Sequence, residues 1–217
     1  YEYTISYRNG VPSFPGVLPV KTYDIPVTSA SFSISVPSGT RIMYRSSDGP
    51  TISSSEGNDL YVWTYSDIPP LKKEAMMPPV TDLVPYVRAA PEEFLWGKSR
   101  GSQKSWEDLG AWNASLFPVD NVPEDVRNKI ATLTEGCKDE VDKIRKVLEY
   151  LRDNTRYVSI QLGIGGYAPS SPESVSKTGY GDCKSLSYFM RTLLKGIGIE
   201  SYYVTLSTRD RDFPEGY

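Results

Sequence analysis

The run Tyr180-Gly181-Asp182-Cys183-Lys184 leads straight into an apolar helical pattern, in a chain of 217 residues that contains no histidine. A cysteine so placed is a candidate nucleophile for acyl transfer. At the first turn of a helix it faces the positive end of the macrodipole and free backbone N–H groups, which favour thiolate over thiol. The same N–H groups suit a developing oxyanion. Asp182 is a good N-cap, and Gly181 lets the backbone turn with no Cβ in the way. The competing reading is structural. Cys183 falls in register with Leu186, Met190, Leu193, Leu194 and Ile197, and a cysteine on such a stripe can be a small buried hydrophobe.

A thiolate nucleophile ordinarily works with an imidazole, and these residues supply none. Asp182 is better used as a cap, and an aspartate carboxyl titrates far below neutrality. Lys184, one helix position on, is expected to face away from the thiol. An oxyanion donor beside the Cys183 N–H would also be needed. The Gln161 side chain, at the end of the preceding predicted strand, is a candidate, although the position also suits an ordinary surface glutamine. Gly165, Gly166, Tyr167 and Tyr180 are candidates for a cleft wall, and both tyrosines can equally serve packing.

Two regions must position these groups. Residues 1–100 read as a β-rich domain. Ala30, Phe32, Ile34 and Val36 alternate with serines, the period-two pattern of a half-buried strand. Further strands are expected over 1–7, 40–45, 60–65 and 84–89, with turns in the polar stretch 46–59 and an irregular, proline-rich connector from Asp67. Residues 101–217 read as α+β. Helices are expected over 105–117, from Pro123, over 139–154 and over 183–197, with strands over 156–162 and 201–206. On the helix over 139–154, Val141, Ile144, Val147, Leu148 and Leu151 share one face. Residues 163–178 read as loop with about one helical turn. Residues 209–217 look like a loop cut short.

Composition narrows the function classes. Net charge is -3 and the estimated pI is about 5.2, with no basic stripe, so a nucleic-acid partner is not expected. No apolar run approaches the roughly 20 residues that span a bilayer. The chain begins at Tyr1 rather than Met, so a targeting segment would lie upstream. Two cysteines, Cys137 and Cys183, exclude a disulfide-dense scaffold and are not expected to pair; with no histidine they also exclude the common zinc frameworks, and neither metal nor cofactor is expected. Gly163-Ile164-Gly165-Gly166-Tyr167-Ala168 loosely matches a dinucleotide fingerprint, but Pro169 and Pro172 oppose the helix that motif needs. The pairs Glu92/Glu93 and Asp210/Asp212 read as solvated, and Asn113-Ala114-Ser115 is a weak glycosylation match within a predicted helix.

Several segments together resemble a known family. They are the helix from Lys143 to Asn154 with Thr155-Arg156-Tyr157-Val158, the run Gly179-Tyr180-Gly181-Asp182-Cys183-Lys184-Ser185-Leu186-Ser187, and Leu194-Lys195-Gly196-Ile197-Gly198-Ile199. These resemble the transglutaminase-like core of the papain-like superfamily. Residues 157–167 look like a subgroup in which that core follows a β-sandwich, the DUF3857 domain. Trp63-Thr64-Tyr65-Ser66-Asp67-Ile68-Pro69-Pro70-Leu71 and Met77-Pro78-Pro79 are similar to the end of that domain.

The resemblance implies an α+β protein in which an antiparallel β-sandwich precedes a transglutaminase/papain-like domain. It implies a Cys-His-Asp triad, of which only the nucleophile maps here, at Cys183. The His and Asp are expected after Tyr217, so this chain alone is expected to be inactive. The implied chemistry is attack on a peptide or carboxamide carbonyl to give a thioester, resolved by water or by an amine, with a protein, peptide or cell-wall peptide as substrate. A periplasmic or secreted location is the matching expectation. The alternative is a non-catalytic module that binds peptide or glycan, or an assembly protein in which Cys183 only packs.

Overall fold

A computed structural model describes residues 2–7, 10–16, 23–118 and 120–206. The chain divides into two compact units, residues 1–109 and 110–217. Among the described residues no helix is long and apolar enough to cross a membrane.

The first unit is built of antiparallel strands. Strands β1 (Val27–Pro37), β4 (Asn58–Ile68) and β3 (Thr51–Ser55) form one sheet in the order β1-β4-β3, and β2 (Ile42–Ser46) pairs with β5 (Val87–Pro91) in a second. Alternation along β1 turns Ile34 and Val36 inward. They meet Trp63, Tyr65 and Ile68 of β4 and Val87 and Ala89 of β5, so one core is shared by both sheets. Trp63 is its centre: its ring is stacked on Phe32 and meets Tyr44 edge-on, and its Nε1–H donates to Ser46 Oγ at 3.0 Å. Trp63→Ala should cost about 3–5 kcal/mol, read as a drop in the urea midpoint of the first unit's transition. A cost under about 1 kcal/mol would mean the sheets do not depend on this ring.

Three strands escaped the sequence. Strand β3 has every residue exposed, so it carries no inside/outside alternation. It is held by its ladder to β4 across a tight turn at Glu56 and Gly57, both with positive φ (49° and 79°), as a type I′ hairpin turn requires. Strands β6 (Glu93–Trp96) and β7 (Ser99–Ser102) form a short hairpin across another two-residue turn, with positive φ at Gly97 (63°) alone. Conversely, residues 2–7 form no strand, and the strand expected over 84–89 starts later, at Val87.

Helix α1 (Trp106–Ser115) runs across the boundary between the units, capped by Ser105 Oγ accepting from the Asp108 N–H at 3.1 Å. The second unit packs α2 (Glu124–Thr134), α3 (Glu140–Asn154), α4 (Pro172–Thr178) and α5 (Cys183–Gly196) around Ile130, Val147, Val175, Phe189 and Leu193. On α3 only Val147 is fully buried, with Tyr150 and Leu151 packed beside it. Val141, Ile144 and Leu148, expected on the core face, are exposed. Strand β8 is Arg156–Tyr157 alone, paired in parallel with β9 (Tyr180–Gly181). Residues 201–206 form no strand, because no described segment supplies the ladder partner that an isolated strand needs. The loop expected over 209–217, with Asp210 and Asp212, lies outside the described residues.

Candidate functional site

The candidate site is the junction of β9 and α5. Asp182 caps α5: its Oδ1 accepts from the Ser185 N–H at 3.0 Å and from the Ser185 hydroxyl at 2.8 Å. Its other oxygen accepts from the Lys184 ammonium. Asp182 is 3% exposed and Lys184 8%, so this is a buried ion pair. Lys184 thus folds back onto the cap, its ammonium on Asp182. Burial pushes the Asp182 carboxyl up, but the hydrogen bonds from Lys184 and Ser185 outweigh it and hold the group below its ordinary value. Asp182 is thus an ionised structural acceptor, unsuited to act as a base near neutrality.

Cys183 occupies the first helical position and is exposed. This corrects its expected place on the core stripe. The rest of that stripe is where it was expected: Leu193 and Leu194 are buried, and Leu186, Met190 and Ile197 pack against the same core, so Cys183 alone, on the first turn, is left uncovered. Three buried residues of α5, Lys184, Ser185 and Thr192, are polar and internally satisfied, so hydrophobicity alone understates the width of its buried face. Thr192 donates to Tyr188 O at 2.9 Å, and Ser185 serves Asp182. Since Ser185 N–H is spent on the cap and Leu186 N–H bonds Asp182 O, the Cys183 and Lys184 N–H groups are the helix donors left for an anion. Both cysteines are free thiols.

Gly181 matters for clearance. A Cβ there would sit 2.9 Å from Ser185 Cβ and 3.4 Å from Leu186 Cδ2. Gly181→Ala should therefore push β9 away from α5, cost about 1–3 kcal/mol, and change the rate at which Cys183 is alkylated. An unchanged melting temperature and an unchanged rate would show that the junction has room to spare.

The segment after β8 is fastened on both sides of the thiol. Val158 N–H donates to Gly181 O at 2.9 Å, and Ser170 N–H donates to Ser185 Oγ at 2.9 Å. The loop between them is anchored two residues before and two residues after Cys183. Gln161 lies in this loop, exposed, and not at the end of a strand as expected. Gly165 and Gly166 form a 3-10 turn, Gly163–Gly166, that folds back toward the carbonyls of Ile160 and Gln161. That turn occupies the loose dinucleotide fingerprint. Tyr167 packs edge-on against the buried Trp112, 5.4 Å between centroids. Tyr180 is half-buried, with the Arg156 guanidinium 5.9 Å from its ring centroid. Sequence reasoning missed Ser185 and Ser170, because a serine two positions past a nucleophile carries no signal of its own. Among the described residues no group of three or more His, Cys, Asp or Glu could hold a metal ion.

The second unit thus presents an exposed thiol on the first turn of a capped helix, beside a short parallel strand pair, in an α+β arrangement. Residues 127–216 match the transglutaminase-like superfamily, and residues 1–72 match a domain of unknown function with a solved structure, DUF3857. A crystal structure from Parabacteroides distasonis, named a putative protease, is similar in fold, with a TM-score of 0.66 and 19% identity over 91% of this chain. This chain spans 36% of the length of that one. No curated protein matches.

Proposed function

We propose that the chain carries the nucleophile side of a cysteine-dependent acyl-transfer site. The observation that supports this most is the exposure of Cys183 at the first position of α5, immediately after the buried cap Asp182, inside the segment that matches the transglutaminase-like superfamily. In this reading the Cys183 thiolate attacks a peptide or carboxamide carbonyl. A C–S bond forms, the carbonyl oxygen draws on the Cys183 and Lys184 N–H groups, and the C–N bond breaks. The proton that the departing amine needs comes from an imidazole outside these 217 residues, which have none. Water or a second amine then releases the acyl group. Gln161 is the proposed side-chain donor to the oxyanion; it belongs to the loop whose ends bond Gly181 and Ser185. The similar Parabacteroides distasonis structure, named a putative protease, agrees with the hydrolytic branch.

The test is acid-quenched single turnover of the full-length protein with a carboxamide peptide, followed by peptide mass mapping. A hydroxylamine-labile acyl adduct on the Cys183 peptide is the expected result. An adduct confined to Cys137, or none at any substrate concentration, would leave a peptide-binding module as the better account.

A further inference from the structure

From Tyr157 to Pro172 no residue carries a charge, in a chain whose charged content is 24%. Within this stretch Ile160 and Ile164 are each 43% exposed and Leu162 is 86% exposed. Apolar side chains are left in water here, on a loop that is not loose. Its ends are fixed by the Val158–Gly181 and Ser170–Ser185 hydrogen bonds, which straddle Cys183 in sequence. Tyr167 holds its far side against Trp112. The unsatisfied apolar surface is thus carried by the loop that is tied to the junction bearing the exposed thiol.

We propose that Ile160, Leu162 and Ile164 form a specificity wall that selects substrates with a bulky, uncharged side chain next to the acyl group attacked by Cys183. The inference rests on the acyl-transfer reading and adds the substrate class to it. An apolar side chain laid on this wall removes both surfaces from water. An aspartate or lysine in the same place loses hydration and meets no partner, since the loop has no charge to offer. The apolar class is favoured over an acidic or basic one on that ground. A second copy of this chain is a poorer occupant, because a wall beside a nucleophile must stay open to a turnover substrate.

The experiment uses the full-length protein and four dipeptidyl vinyl sulfones that carry Leu, Phe, Asp or Lys beside the reactive carbon. The rate of Cys183 labelling is read by intact mass and peptide mapping. The Leu and Phe probes should label about 10- to 100-fold faster than the Asp and Lys probes, the discrimination an apolar contact of this size gives. Leu162→Ala with Ile164→Ala should bring the four rates toward one another. Leu162→Lys should raise the Asp probe relative to the Leu probe. These residues are exposed, so the variants are expected to fold. Labelling of Cys183 at rates indifferent to the side chain, or a preference the variants do not move, overturns the wall and leaves the cysteine reading intact. That is also the outcome if another part of the full-length protein covers the loop. Failure of every probe to label Cys183, with iodoacetamide still doing so, overturns the acyl-transfer reading and the wall with it.

Discussion

Cys183→Ala is expected to abolish acyl-enzyme formation while leaving the melting temperature where it was. The two halves of this expectation have different causes. Removing a nucleophile takes away the bond-forming atom, and in enzymes built on one such residue the loss runs to about 10⁴–10⁶ in rate. Stability should move by no more than about 0.5 kcal/mol, because the Cys183 side chain is exposed and leaves no cavity behind. The two free thiols give an internal control. Cys183 is exposed and Cys137 only half so, so limited iodoacetamide should modify Cys183 first. Cys137→Ala should leave adduct formation unchanged. A Cys183→Ala protein that still formed the adduct would remove Cys183 from the chemistry. One that unfolded would return it to the structural role that its spacing first suggested.

Asp182→Ala should do the reverse and cost about 3–5 kcal/mol of stability. The carboxylate is the partner of the buried Lys184 ammonium and the acceptor for both Ser185 donors. Without it a cation stays buried and unpaired, and α5 loses its cap. Asp182→Asn keeps an acceptor for Ser185 but no charge for Lys184, so it should fall between wild type and Ala. Adding Lys184→Met to Asp182→Asn should recover part of the loss, a coupling that a double-mutant cycle measures directly. The pH dependence has a definite sign. Folding holds the Asp182 carboxyl below its ordinary value of 3.8, so its contribution is fully present above that value and is lost as pH falls through the lowered native one. Wild type should therefore lose stability in acid more steeply than Asp182→Asn. Parallel acid curves for the two proteins would mean the pair contributes nothing net.

The second unit shows why some features were legible in the chain and others were not. A cap is a local event: Asp182 and Asp139 each bond an N–H three residues on, and neither needs a distant partner. Ser105 belongs to the same class. The period of two in β1 was equally plain, because one of its faces is buried and the other is not. Strand β3 was invisible for the complementary reason, since a strand with every residue exposed leaves no pattern of hydrophobicity.

What the sequence determined by itself is a chain of strands followed by helices, with a glycine, a capping aspartate and a cysteine at one helix start. All of these follow from near-neighbour sterics and hydrogen bonding along the backbone. Tertiary structure alone decided how far along α5 the core reaches. Apolar spacing places Cys183 on the core side, and Leu193 and Leu194 of that stripe are indeed buried, but the fold leaves Cys183 at its first turn exposed and buries Lys184, Ser185 and Thr192 as well. It could do so because Asp182 and Lys184 neutralise each other within the fold, and because Ser185 finds both an acceptor in Asp182 and a donor in Ser170, fifteen residues away. Burial of a polar group depends on partners that only the folded chain brings together.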